Sequence, residues 1–133
     1  MTKQRIYIER YKWVVWIYYA ATPYNSVEIM CKLQELGCRG TDLMGAFNNL
    51  RSGKMNQGIT YSNNLMRESV MVISVTSSPD EFQSSFDHEK GHLCRHICQA
   101  FGIDPYGEEA QYLAGDIGML LFPVAKRFIC ACQ

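Results

Sequence analysis

The residues best suited to chemistry lie together in one short stretch of the chain. The sequence has three histidines, His88, His92 and His96, and the first two enclose Glu89 in the pattern His-Glu-Lys-Gly-His. Histidines four positions apart on a helix are separated by about 40° around its axis, so both imidazoles can reach one metal ion. A glutamate beside them can take a proton from a water molecule on that ion. The stretch therefore predicts a zinc site with His88 and His92 as ligands and Glu89 as general base.

A helical wheel places the histidine pair beside an apolar face. With His88 at zero, His92 falls near 40°, His96 near 80° and Glu89 near 100°, and an apolar group follows at about 120–180°. The members of that group are Phe82, Phe86, Leu93, Ile97 and Ala100. A histidine face that borders the core is expected for a recessed metal site. The alternative is a pair of ordinary helix histidines, hydrogen-bonded or solvated, with Glu89 in a surface ion pair.

A catalytic zinc site needs a third protein ligand, and two adjacent glutamates begin the next predicted helix. On a wheel of that helix, Glu109 flanks the apolar face, whereas Glu108 falls about 260° away and faces outward. We therefore expect Glu109 to be the third ligand and Glu108 to be a solvated acid favoured by the helix dipole. The apolar face consists of Ala110, Leu113, Ala114, Ile117, Leu120 and Leu121.

The segment HEKGH followed by EEAQYLAGDIGMLLFP resembles the gluzincin type of zinc peptidase, in which a second helix supplies a glutamate ligand. In particular it resembles the small peptidases of phages and mobile elements of the ImmA/IrrE kind, over about residues 68–123. The resemblance implies a zincin-like fold in which His88, His92 and Glu109 bind Zn²⁺. It also implies that the chain hydrolyses a peptide bond in a protein or peptide substrate, with narrow specificity, and that Glu89 is the general base for the attacking water.

Four further residues are candidates for supporting roles. His96 is expected to be buried or hydrogen-bonded behind the ligands, with direct metal binding or catalysis as the alternative. Asp116 lies on nearly the same face as Glu109 and is either an acceptor for a ligand histidine or a solvated residue. An oxyanion in the transition state needs a hydrogen-bond donor, and Tyr106, Tyr112 and His96 are the candidates for it.

The elements that must hold these residues are predicted from periodicity and from capping and turn residues. A strand, straight or bent, is expected over residues 5–20. Two helices are expected over 26–37 and 41–52, the first capped by Ser26 and ended by Gly37, the second capped by Thr41 and ended near Gly53. A hairpin of strands 57–62 and 68–76 is followed by an active-site helix over about 79–100, with Ser77 or Ser78 as cap, and a glutamate helix over about 105–122, ended by Pro123.

This order of elements predicts an α+β fold in a single compact domain, with a small antiparallel or mixed sheet. Within residues 1–133 we expect a strand and helix pair in 1–55, the hairpin with the catalytic helices in 56–123, and a short tail in 124–133. The tail is ambiguous between helix and strand. In zincins a sheet edge beside the active-site helix can bind an extended peptide, and strand 68–76 is the candidate for that edge.

Composition and charge exclude several classes of protein. The chain is 47% hydrophobic and has 13 Lys and Arg against 13 Asp and Glu. Zero net charge argues against a nucleic-acid or membrane-surface partner. The apolar run 13–21 is too short to span a membrane and is unlike a signal peptide, so we expect a cytoplasmic protein. Its six cysteines are then expected to be thiols, with Cys94 and Cys98 as a weak alternative metal pair.

Two other functions remain open at this point. The first is a metal-binding or protein-interaction module on the same scaffold, without turnover. The second is a small DNA-binding regulator that uses helices 26–37 and 41–52 as a helix-turn-helix, and the low positive charge of that pair makes it the weaker alternative. The basic residues of the pair are Lys32, Arg39, Arg51 and Lys54. The substrate and the oligomeric state are not predicted by the sequence.

Overall fold

The computed structural model describes residues 1–52 and 58–129. Its strands are β1 (Thr2–Ile8), β2 (Trp13–Ala21), β3 (Ile59–Asn63) and β4 (Glu68–Ser74). Its α-helices are α1 (Ser26–Glu35), α2 (Gly40–Ser52), α3 (Pro79–Phe101) and α4 (Glu108–Ile129). Single turns of 3₁₀-helix at Glu9–Tyr11 and Pro23–Asn25 precede β2 and α1.

The strands form one mixed sheet in the order β1-β2-β4-β3. β2 and β4 are parallel, and the two outer strands pair with them antiparallel. Helices α1 and α2 cover one face of the sheet, and α3 and α4 cover the other, so that two apolar cores form. The predicted α+β class and the small mixed sheet are confirmed. Because β4 lies between β2 and β3, both halves of the chain contribute to a single sheet.

The residues of β2 explain why both faces of the sheet are covered. Trp13, Val15 and Tyr19 are buried against α3 and α4, while Tyr18 is buried on the α1 and α2 side. Alternate residues of a strand point to opposite faces, so a strand that is apolar at successive positions needs a helix layer on each side. Ala20, with φ at 57°, interrupts the register with β4 near the end of the strand.

The prediction of one strand over residues 5–20 is wrong, because β1 turns back on itself into β2. Ile8 pairs with Trp13 in an antiparallel hairpin. The polar stretch of the 3₁₀ turn Glu9–Tyr11 makes the reversal, and Lys12 completes it with φ at 51° in the left-handed region. Glu9 and Lys12 are exposed, so reversing the chain there leaves no charged side chain in the core.

The predicted hairpin of residues 57–62 and 68–76 is confirmed as β3 and β4, with shorter strands; residue 57 lies outside the described residues. The expectation that strand 68–76 forms the sheet edge is wrong, since β4 has a neighbour on both sides. The edge on this side of the sheet is β3. It packs beside α3, and so it is the strand whose side chains can reach the predicted metal site.

The two N-terminal helices form where they are expected, with different first turns. Ser26 and Thr41 are predicted caps, yet both lie inside their helices. Thr22 and Asn25 cap the preceding 3₁₀ turn instead. Gly37 ends α1 with φ at 88°, as predicted, whereas the predicted end of α2 at Gly53 lies outside the described residues.

Helix α3 carries the histidines and has well-defined ends. The Ser78 hydroxyl accepts a hydrogen bond from the amide of Glu81, and Pro79 occupies the first turn, as expected for an N-terminus. Gly102, with φ at 66°, ends the helix in the left-handed conformation. The predicted boundaries and caps of this helix are confirmed, so the spacing of His88, Glu89 and His92 is helical.

Helix α4 does not end at Pro123, which corrects the predicted boundary. The helix begins at Glu108 and continues to Ile129, so residues 124–129 of the ambiguous tail are helical. Proline removes one amide donor, but Met119, whose carbonyl loses it, is 72% exposed and accessible to water. Ala125 is buried beyond the proline, which favours continuation. No helix within the described residues is long and apolar enough to cross a membrane.

Candidate metal centre

His88 and His92 converge on one point at the surface of α3. Their Nε2 atoms lie 3.1 Å apart and form a hydrogen bond in which one imidazole donates to the other, and the two rings meet edge to face at 87°. Two nitrogen ligands at about 2.05 Å from one tetrahedral zinc ion would lie about 3.3 Å apart, which is close to this separation. His88 is exposed and His92 half-buried. The pair therefore presents two metal-binding nitrogens at a distance and an accessibility that suit a zinc ion.

Glu89 lies beside the pair but turns toward the sheet. It is only 4% exposed, and Thr60 Oγ1 on β3 donates a 2.8 Å hydrogen bond to its Oε1. The same hydroxyl lies 3.3 Å from the backbone carbonyl of Glu89. Because Glu89 is buried and bonded to Thr60, it does not lie at the surface as the ion-pair alternative requires. Its carboxylate is instead held at the junction of α3 and β3.

A glycine leaves the space that Glu89 occupies. A Cβ atom placed on Gly58 would lie 2.6 Å from the carbonyl oxygen of Val72 and 2.8 Å from the Glu89 side chain. We expect Gly58→Ala to lower the free energy of unfolding by about 1–3 kcal/mol, because backbone and a buried carboxylate must both move. The matched control is Gly91→Ala, where the added Cβ has no neighbour within 4 Å.

The control substitution lies on exposed helix surface, so we expect it to raise stability by roughly 0.5–1 kcal/mol through helix propensity. Urea unfolding of both variants measures the difference. Equal stability of the two alanine variants would contradict the close packing of Glu89 against the end of β3.

His96 lies one turn after His92, and its ring centroid is 6.4 Å from that of His92. It is half-buried, and its Nδ1 lies 2.7 Å from the Ser62 hydroxyl on β3. Burial lowers the pKa of His96, and the neighbouring positive charges of His92 and Arg95 lower it further. His96 is therefore a hydrogen-bonded neighbour of the pair and is held toward its neutral form.

Glu109, the predicted third ligand, is bound elsewhere. Its Oε1 accepts a 2.9 Å hydrogen bond from the Tyr11 hydroxyl and lies 3.3 Å from the guanidinium of Arg10. Burial raises the pKa of Tyr11, and the hydrogen bond to Glu109 raises it further, so this hydroxyl remains a donor at neutral pH. Glu108 is exposed, in agreement with the expected difference between the two glutamates.

The arrangement places Glu109 at the C-terminal end of α3, away from the histidine pair. Tyr11, which holds Glu109, packs on the Phe101 ring at a centroid distance of 5.1 Å. Phe101 follows His92 by nine residues, about 13 Å along a helix axis. Among residues 1–52 and 58–129, no group of three or more His, Cys, Asp and Glu side chains is placed to hold a metal ion. Zinc ligation by Glu109 stays a prediction and requires this carboxylate to leave Tyr11 and Arg10.

The remaining candidates form no hydrogen bond or ring contact with the pair within the described residues. Tyr106 lines a groove of about 530 Å³ between α3 and α4, and it is 92% exposed. Tyr112 and Asp116 are exposed on α4. Of the proposed supporting residues, His96 alone contacts a residue of the pair within the described structure.

The cysteines of α3 line the same groove as Tyr106. Cys94 and Cys98 are free thiols, in agreement with the expected redox state. Burial raises the pKa of Cys94 to about 11, and burial also raises the pKa of Cys98. The thiolate is the form that binds a metal, so an ion at Cys94 and Cys98 would have to displace both protons. The alternative metal pair stays a prediction.

The residues that fix the site from the sheet were not identified from the sequence. Thr60 and Ser62 are two positions apart on β3, so both point toward α3, where they bond Glu89 and His96. Two polar residues on the inward face of a strand are a usable signal, but it becomes visible only once the facing helix is known. Tyr11 lies 98 positions before Glu109 and offers no local signal at all.

Comparisons of the chain with protein-family models, with curated proteins and with solved structures found no match. The assignment of function therefore depends on the histidine motif and on the geometry around it.

Proposed function

We propose that the chain is a zinc-dependent peptidase with a zincin-like fold, in which His88 and His92 bind the metal and Glu89 is the general base. The observation that carries the proposal is the 3.1 Å separation of the two Nε2 atoms on the helix that also presents Glu89. An accessible pair of imidazoles with a carboxylate on the same helix is the donor set that a catalytic zinc site uses.

The third ligand in this proposal is Glu109. Its support is the sequence resemblance and its position in the first turn of α4, on the side that packs near α3. In the described arrangement Tyr11 and Arg10 hold it. The proposal therefore includes a rearrangement in which the carboxylate exchanges these two partners for the metal.

The residues of the chain suit the proton transfers of peptide hydrolysis. When bound, zinc supplies a Lewis acid that polarises a peptide carbonyl and makes a water molecule more acidic. Thr60 holds Oε1 of Glu89, so Oε2 is the oxygen left to take the proton of that water. Glu89 then passes the proton to the leaving amine. The edge strand β3 lies beside Glu89 and provides backbone groups along which an extended substrate can pair.

Metal analysis of the purified protein tests the ligand assignment. We expect one zinc per chain after reconstitution and dialysis, and loss of most of this zinc in His88→Ala and His92→Ala. The control is Gln99→Ala, which changes an exposed residue about two turns after His92 on a similar face of α3. Zinc binding that survives both histidine substitutions would place the metal elsewhere and overturn the proposal.

A second candidate is a metal-binding or protein-interaction module without turnover, and one observation favours it. Glu109 is held by two partners, so only two protein nitrogens face the metal position in the described arrangement. This candidate predicts stoichiometric zinc with no cleavage of casein by the wild-type protein. Cleavage that is lost together with the zinc excludes it.

A further inference from the structure

A chain of short hydrogen bonds connects the centre of the sheet to His96. Trp13 Nε1 on β2 lies 2.8 Å from Ser69 Oγ on β4. Ser69 Oγ lies 2.6 Å from Ser62 Oγ on β3, and Ser62 Oγ lies 2.7 Å from Nδ1 of His96 on α3. Trp13 and Ser69 are fully buried, so this end of the chain is closed to solvent.

The direction of each hydrogen bond in this series is set at the buried end, by Trp13. An indole nitrogen can only donate, so Ser69 Oγ is the acceptor for Trp13. The hydroxyl proton of Ser69 then needs an acceptor, and among the described residues its remaining side-chain partner is Ser62. Because Ser62 accepts that proton, its own proton is available to His96, and Nδ1 is the acceptor.

The opposite direction is costly. If Nδ1 of His96 donated to Ser62, there are two arrangements of the Ser62 proton. It could point at Ser69, and the buried Ser69 proton would then lose its partner. Otherwise Ser62 would accept from both neighbours, and its own proton would have no acceptor among the described residues. A buried polar group left without a hydrogen bond costs about 1–3 kcal/mol, so one direction is strongly preferred. Bonds in such a directed chain also polarise and strengthen one another.

We propose that this chain fixes His96 as the neutral tautomer with its proton on Nε2, and that this N–H donates a hydrogen bond to the carbonyl oxygen of the bound peptide. The second part rests on the proposed peptidase function and names a residue for the oxyanion. In this assignment His96 is the catalytic residue, and Ser62 and Ser69 are positioning residues that act through it.

The position of His96 suits this role. It follows His92 by one helical turn, its ring is half-exposed, and within the described residues its Nε2 has no hydrogen-bond partner. A donor that is already oriented before substrate binds does not lose energy by reorganising as charge develops on the oxygen. Tyr106 and Tyr112, the other candidates for the role, are directed to solvent.

Nitrogen NMR tests the tautomer independently of activity. In the ¹⁵N-labelled full chain at pH 7, long-range proton–nitrogen spectra should show Nδ1 of His96 unprotonated and Nε2 protonated. Ser62→Ala should produce an average of the two tautomers, and Ser62→Thr, which restores a hydroxyl, should return the wild-type pattern. A proton on Nδ1 in the wild-type protein, in either a neutral or a charged ring, overturns the proposal.

The carbonyl contact is tested with a peptidyl phosphonate, a stable analogue of the tetrahedral oxyanion, on the zinc-loaded protein. We expect the Nε2 proton of His96 to shift on binding, and Ser62→Ala to weaken binding of the probe by about tenfold. Probe binding that leaves His96 unperturbed overturns this part alone. If the protein takes up neither zinc nor the probe, the peptidase function and the carbonyl contact fail together, whereas the tautomer is still decided by the spectra.

Discussion

Glu89→Gln is expected to lower the rate of peptide cleavage by about 10²–10⁴-fold while the protein stays folded and keeps its zinc. Glutamine has nearly the shape of glutamate, and its amide oxygen can still accept the hydrogen bond from Thr60. What the substitution removes is the group that takes a proton from water. The measurement is the rate of casein cleavage together with zinc content and the urea midpoint.

Three outcomes of that measurement have different meanings. Loss of cleavage with zinc and stability unchanged supports a general base. Unchanged cleavage contradicts the role of Glu89 and reduces it to a residue that joins α3 to β3 through Thr60. Loss of cleavage together with a large fall in stability shows a structural role instead. The matched control is Glu108→Gln, an exposed glutamate for which we expect no change in any of the three readouts.

Helix α3 could be predicted well because its signals are local. Ser78, Pro79 and Gly102 mark its ends, and the buried side chains of Phe82 and Leu93 repeat with the helical period. Each of these features acts within a few residues, so it has the same effect in any fold. The spacing of the histidines then follows from the helix, and the convergence of their Nε2 atoms needs no distant partner.

The errors occur where tertiary contacts outweigh local signals. Pro123 is a helix breaker in isolation, yet α4 continues because Ala125 beyond it is buried in the core. The position of β4 directly before α3 predicts an edge strand, but its pairing with β2 depends on residues more than 50 positions away. Sequence periodicity gives the faces of an element, and it contains no information about which neighbour covers each face.

In the candidate site, too, the local features could be predicted and the tertiary contacts could not. Periodicity correctly put Glu109 beside the buried face of α4 and Glu108 outside it. The partner of Glu109 is nevertheless Tyr11, a residue of the turn between β1 and β2. A wheel gives the angle of a side chain around its own helix, but not the position of that helix along its neighbour. Whether Glu109 lies beside the histidines depends on the position of α4 along α3, which a helical wheel does not give.

The largest effect on metal binding is expected at Glu109. If this carboxylate is the third ligand, Glu109→Gln should lower zinc affinity by at least about 100-fold, since a neutral amide is a far poorer zinc ligand than a carboxylate. The substitution keeps an oxygen that can accept from Tyr11, so contacts of the metal-free protein change little. Glu108→Gln is again the control, with unchanged affinity expected. Competition with a chromogenic chelator gives the affinities.

Tyr11→Phe is expected to change zinc affinity in the opposite direction, because Tyr11 and the metal compete for the carboxylate of Glu109. The phenylalanine ring preserves the packing on Phe101 and removes the hydroxyl that binds the carboxylate. A hydrogen bond to a half-exposed carboxylate contributes roughly 1.4 kcal/mol, so its loss should raise zinc affinity by up to about tenfold. The metal-free state is the one that loses stability, which is why affinity rises rather than falls.

Opposite effects of Glu109→Gln and Tyr11→Phe on zinc affinity can arise only if Glu109 leaves Tyr11 when the metal binds. A carboxylate whose role is to attach α4 to the β1–β2 turn predicts another pattern. Both substitutions would then lower the free energy of unfolding, by about 1 kcal/mol or less for Glu109→Gln, and neither would change zinc affinity. That result would leave His88 and His92 without Glu109 as a third ligand and would favour the module without turnover, because a catalytic zinc site uses three protein ligands.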